Sequence, residues 1–118
     1  MKIDLRSDTV TKPTPEMLQA MMAAKVGDDV YGEDDSVVEL EQYLAKEFGM
    51  EAGLFCPSGT MTNQIAIRVL AKPATEVICA VNAHFFKYEG GGIAANTGAQ
   101  ARLLPSTFGK ISASQITE

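Results

Sequence analysis

The chain has 118 residues, 46% of them hydrophobic and 21% charged, an ordinary soluble-globular composition with room for one small domain and a modest core. A net charge of −5 with basic residues scattered along the chain lacks the clustered positive surface that nucleic-acid binding needs, so nucleic acid is not an expected partner. No apolar run approaches the roughly 18 residues of a membrane span. The opening MKIDLRSDTV lacks a signal-peptide core, which makes the cytoplasm the expected compartment.

Residues 1 to 13 show no clean periodicity, end on Pro13 and read as an extended arm. Arg6 and Ser7 of its polar DLRSDT stretch could anchor a carboxylate, although by itself the stretch reads as a surface arm. Thr14-Pro15-Glu16 then announces a helix: a capping hydroxyl, a proline at the first helical position and an acid at the positive end of the dipole. Met17, Leu18, Met21 and Met22 follow at helical spacing, and Gly27 is the expected stop. Such a methionine-rich stripe can mark a binding surface, but packing on a core or on a partner subunit is the expected use.

Next comes the polar turn GDDVYGEDD, whose acidic pairs Asp28-Asp29 and Asp34-Asp35 lack calcium-loop spacing and read as a solvated turn. Ser36 and Glu39 match a capping box opening a helix over 36 to 48, with Val37, Leu40, Leu44 and Phe48 on one face and Gly49 as its stop.

From residue 51 the pattern changes. Leu54-Phe55-Cys56 reads as a short buried strand, 59 to 71 as a helix with Met61, Ile65, Val69 and Leu70 inward, and Glu76 to Val81 as a second strand. The glycine run at Gly90-Gly91-Gly92 precedes a short helix, and Gln100 to Leu104 makes a third strand. Alternation at this spacing predicts an α/β fold with βαβ units and a mostly parallel sheet carrying helices on both faces. Cys56 and Cys79 sit in apolar runs without metal-ligand spacing and read as free, buried thiols. Ser112 to Gln115 form another capping box, with Ile116 as the first inward residue, yet the sequence stops at Glu118. A three-stranded parallel sheet also leaves an edge open, so the chain is expected to be truncated. The expected organisation is an arm over 1–13, a two-helix segment over 14–49 and the first portion of an α/β domain over 50–118.

Three places could carry chemistry. Pro57-Ser58-Gly59-Thr60 joins a predicted strand to a helix, where free amides and the dipole's positive end can hold a phosphate; as a bare pattern it is more often just a cap. His84, the only histidine, falls at the carboxyl end of the second strand, the edge at which parallel α/β sheets bind ligands. A lone histidine is also commonly structural. The segment Tyr88-Glu89-Gly90-Gly91-Gly92 could let backbone approach a ligand closely, or could be a turn.

Taken in order, DLRSDTVTKPTPEM, VGDDVYGEDDSV, FCPSGTMTNQ and AHFFKYEGGG resemble the N-terminal motifs of the low-specificity L-threonine aldolases, over nearly the whole chain. The resemblance implies an aspartate-aminotransferase-like fold, of whose large domain this chain is the first part, and a homotetramer. It also implies pyridoxal 5'-phosphate (PLP) as cofactor and a small β-hydroxy amino acid as substrate. It assigns Ser58, Gly59 and Thr60 to the PLP phosphate and stacks His84 on the cofactor ring, where it also assists proton transfer at the substrate hydroxyl. Ser7 is assigned to the substrate carboxylate, and Tyr31 to an active site shared between subunits, with Arg6 a weaker candidate. The cofactor-bearing lysine belongs to the later part of that large domain. None of Lys2, Lys12, Lys25, Lys46, Lys72, Lys87 and Lys110 sits in its setting. No residue is assigned to a metal. Two other readings compete: a β-eliminating PLP enzyme of the same fold, and a truncated, non-catalytic oligomerising module.

Overall fold

The computed structural model describes residues 3–117, which form two compact units meeting between Phe55 and Cys56.

In the first unit, 3-10 turns at Asp8–Val10 and Asp29–Tyr31 accompany two helices, α1 (Pro15–Ala23) and α2 (Asp35–Glu47). Thr14 caps α1 as its sequence announces, accepting from the Met17 amide at 3.3 Å. The helix stops at Ala23 rather than at Gly27. Gly27 serves the following turn instead: its amide donates to Asp34 Oδ2 at 3.1 Å, and a Cβ there would collide with the Glu33 carbonyl.

The predicted Ser36–Glu39 box does not open α2. Asp34 caps it, accepting from the Val37 amide at 3.0 Å, while the Ser36 hydroxyl donates to the Lys25 carbonyl at 3.0 Å. The two oxygens of the Asp34 carboxylate hold the Gly27 and Val37 amides at once, and both bonds keep its carboxyl below its ordinary range. At the other end, Gly49 takes a left-handed φ of +63°, and the amides of Gly49 and Met50 return to the carbonyls of Lys46 (3.2 Å) and Ala45 (2.8 Å). This is a Schellman closure, and it confirms the predicted stop. Val37 is half-buried; Leu40, Leu44 and Phe48 remain exposed.

In the second unit, α3 (Gly59–Leu70) leads into β1 (Glu76–Ala80), α4 (His84–Lys87), α5 (Gly92–Thr97), β2 (Gln100–Leu104) and α6 (Ala113–Thr117). The two strands pair in parallel, Glu76 with Gln100 through Ala80 with Leu104. Parallel pairing requires a crossover, and α4 and α5 supply it. The sheet therefore has two strands among the described residues, not three. Leu54-Phe55-Cys56 is not a strand: Leu54 is 68% exposed, and the Phe55 amide donates to Glu41 Oε1 at 2.6 Å instead of to a neighbouring strand. An apolar run becomes a strand only where a partner lies along it.

Cys79, Ile93 and Ala99 form the buried apolar core beside β1, α5 and β2. Cys56 is half-buried, and both thiols are free. Burial pushes the Cys79 thiol above its ordinary pKa. Of the α3 residues expected to face inward only Ile65 is half-buried, whereas Met61, Val69 and Leu70 are exposed. Helix α3 packs on α5 and α4, and its half-buried residues include the polar Asn63 and Gln64; apolar periodicity could not pick out that face. The Ser112–Gln115 box forms, with Gln115 N donating to Ser112 Oγ (3.4 Å) and Ser112 N to Gln115 Oε1 (2.8 Å). Ile116, expected inward, is exposed. No helix among the described residues is long and apolar enough to cross a membrane.

Candidate active site

Helix α3 begins where the sequence places a phosphate-binding turn. Ser58 is its N-cap and accepts from the Met61 amide at 3.1 Å, while the Thr62 amide returns to the Ser58 carbonyl at 3.1 Å. Helix geometry leaves the Gly59 and Thr60 amides without intrahelical acceptors, at the positive end of a 12-residue helix. A Cβ at Gly59 would meet open space. The Ser58 hydroxyl oxygen accepts as a cap and keeps its hydrogen to donate, so the anion-binding capacity rests on the two amides and the Ser58 and Thr60 hydroxyls.

One turn further along, Asn63 and Gln64 lie three and four residues from Thr60, on the same side of α3 and about 5–6 Å along its axis. Their amide groups converge on Glu89, with Asn63 Nδ2 donating to Oε1 at 2.8 Å and Gln64 Nε2 donating to Oε2 at 2.6 Å. His84, the first residue of α4, faces the same carboxylate, its Nδ1 lying 3.0 Å from Glu89 Oε1. The Glu89 side chain has no exposed surface, whereas that of His84 is 66% exposed. The imidazole thus has one edge anchored inside the protein and the rest presented outward, beside Tyr88 at a ring separation of 5.3 Å and a tilt of 47°.

A buried carboxylate is costly unless its lone pairs are used. Burial is the largest single influence on Glu89 and pushes its pKa up. The donors from Asn63, Gln64 and His84, with the charge of a protonated His84, together outweigh it and hold the carboxyl below the ordinary glutamate value.

The amides are themselves held. Asn96 Nδ2 donates to Gln64 Oε1 at 2.9 Å, and Arg68 reaches the Asn96 carbonyl at 2.6 Å. Gly92 leaves room for this arrangement, because a Cβ at that position would push the Gln64 carboxamide out of its place. The glycine run, read as a place for close approach to a ligand, makes its close approach at Gly92 to a side chain of the protein itself.

At the carboxyl edge of the sheet, Asn82 follows β1 and accepts from the Ser106 hydroxyl, which follows β2, at 2.8 Å. His84 lies just beyond that edge, as its sequence position predicts.

Ser58, Gly59, Thr60 and His84 therefore fall in one compact unit, linked through α3 and Glu89. Ser7 and Tyr31 belong to the other unit. Ser7 caps the first 3-10 turn, accepting from the Thr9 amide at 3.2 Å, and Tyr31 is exposed at the end of the second. Arg6 is engaged with Asp4 through bonds of 2.6 and 2.9 Å. Lys87 lies exposed on α4. Sequence reasoning missed Glu89 as a partner of His84, along with Asn63 and Gln64. The one available signal was a charged residue five positions after the only histidine, inside a glycine-rich segment.

Comparison with known proteins gives a consistent set of relatives. The low specificity L-threonine aldolase of Saccharomyces cerevisiae is 50% identical over 103 residues, covering 86% of this chain and 26% of that protein. The low specificity L-threonine aldolase of Escherichia coli K12 is 50% identical over 92 residues, covering 78% of this chain and 28% of its own length. Low-specificity L-threonine aldolase 1 of Arabidopsis thaliana is 48% identical over 103 residues, 86% of this chain and 29% of that protein. The chain thus spans little more than a quarter of the length of these relatives. The family described as beta-eliminating lyase matches residues 4–118, and the chain belongs to that family.

Proposed function

We propose that this chain supplies part of the active site of a PLP-dependent lyase that cleaves β-hydroxy-α-amino acids, converting L-threonine and L-allo-threonine to glycine and acetaldehyde. The observation that carries the reading is one connected constellation. A helix start with two uncommitted amides stands one turn from the side chains that hold Glu89, and Glu89 holds an outward-facing histidine. The names of the relatives support the substrate class.

The residues fit the cofactor. The amides of Gly59 and Thr60 and the hydroxyls of Ser58 and Thr60 are donors for its phosphate, and the exposed face of His84 is a flat surface for its ring. When bound, PLP supplies an electron sink for the bond that breaks at the α-carbon. The protein's part is to hold and orient. His84 takes the proton from the substrate's β-hydroxyl as the Cα–Cβ bond breaks and acetaldehyde forms, and the α-carbon gains a proton to give glycine. Histidine suits this task because its ordinary pKa of about 6.5 lies close to neutral pH.

The same reading extends to an aspartate-aminotransferase-like fold and a homotetramer, with Ser7 at the substrate carboxylate and Tyr31 at a site shared between subunits. For these two residues the support is the motif each belongs to. The test is product analysis with the full-length protein, given L-threonine, L-allo-threonine and L-cysteine. Acetaldehyde and glycine in equal amounts from the first two support the reading. Ammonia and a keto acid from cysteine, without acetaldehyde from threonine, point to a β-eliminating relative. No turnover of any of the three by the PLP-loaded protein points to a non-catalytic module.

A further inference from the structure

The geometry points to Glu89 as a positioning residue that fixes His84 as the Nδ1–H tautomer, so that Nε2 is the nitrogen that exchanges the proton with substrate. This rests on the proposed role of His84 and assigns the atom through which it acts.

Donors and acceptors around Glu89 fix the tautomer. An ionised carboxylate accepts hydrogen bonds and donates none. Glu89 is fully enclosed, and two of the groups reaching it, Asn63 Nδ2 and Gln64 Nε2, are donors. The orientation of Gln64 is set independently, because its Oε1 receives Asn96 Nδ2 at 2.9 Å. Its Nε2 therefore faces Glu89 Oε2, and the carboxylate, held ionised by its converging donors, has no hydrogen to offer at Oε1. His84 Nδ1, 3.0 Å from Oε1, must then carry a hydrogen. In the neutral ring Nε2 consequently holds the lone pair, and it belongs to a side chain that is largely exposed. Once Nε2 has taken a proton, the buried negative charge 3.0 Å from Nδ1 stabilises the imidazolium. Asn63 and Gln64 are the struts of this device, and Gly92 leaves room for one of them.

Nitrogen-15 spectra of His84 in the full-length protein, recorded well above the ordinary histidine pKa, read the tautomer directly and need no variant. The expected result is a protonated Nδ1 and a bare Nε2. An Nε2–H ring, or the averaged shifts of a freely exchanging one, overturns the inference, whatever substrate the enzyme cleaves. Kinetics supply the second arm. Glu89→Gln offers one oxygen and no charge to three converging groups, so kcat for threonine should fall about 10- to 100-fold. KM should change less than about twofold, and His84→Asn/Glu89→Gln should be no slower than His84→Asn alone. Multiplying losses in the double variant would mean that Glu89 acts elsewhere, and would overturn the positioning role while leaving the proposed reaction standing. Should Glu89→Gln fail to fold, Asn63→Ala retains the carboxylate and its Gln64 strut. It should shift the His84 nitrogens toward the averaged state, and unchanged shifts would count against the strut.

Discussion

Thr60 and Glu89 make opposite demands on their surroundings, one open at a helix start and the other sealed in. Thr60 stands at the open end of α3 with its amide uncommitted. Thr60→Val keeps the shape and removes the hydroxyl. Loss of one hydrogen bond to a charged phosphate typically costs roughly 1.5–3 kcal/mol, so PLP affinity should fall about ten- to a hundredfold in a titration of apoenzyme. Glu89 shows its role in the pH dependence of stability. Its folded pKa lies below its ordinary value, so between the two the unfolded state binds more protons and stability rises with pH. The contribution is complete above the unfolded glutamate pKa of about 4.3 and is lost as pH falls through the folded value. Denaturation midpoints followed down into the acid range should show this loss in the wild type, and Glu89→Gln should lack that segment. The histidine was legible in the sequence as a candidate. Its carboxylate was not, because only the fold brings residues 63, 64, 84 and 89 together.

At the scale of elements, local chemistry was legible and partnership was not. Thr14, Gly49 and the Ser112–Gln115 box all do what their sequence announces, since a cap is decided within about four residues. Where two caps competed, the choice needed a contact seven residues away, from the Gly27 amide to Asp34. Asp34→Ala should therefore lower the urea unfolding midpoint, and Ser36→Ala distinctly less. Equal costs would restore the capping box. The run 54–56 was misread for the same reason on a longer scale: strand identity depends on a neighbour that sequence periodicity does not reveal. The strands β1 and β2, which find each other across α4 and α5, were read with boundaries correct to within a residue.

At the scale of the whole molecule, much apolar surface lies open. Met22, Leu70 and Phe108 are among the exposed residues, and the buried apolar set is small. Such surface drives association. The 118-residue chain by itself is expected to self-associate in sedimentation, to acquire no covalently held PLP and to release no acetaldehyde from threonine. A cooperative monomer, or PLP retained through gel filtration and fixed to Lys87 by borohydride, would contradict this expectation.

The proposed function rests above all on His84, held by Glu89, moving the proton in threonine cleavage. Steady-state kinetics of His84→Asn in the full-length enzyme tests it most directly. The account predicts that kcat for L-threonine falls by about 10²- to 10⁴-fold, the range of general acid–base assistance, while KM changes far less. An unchanged kcat in a variant that still binds PLP would contradict it.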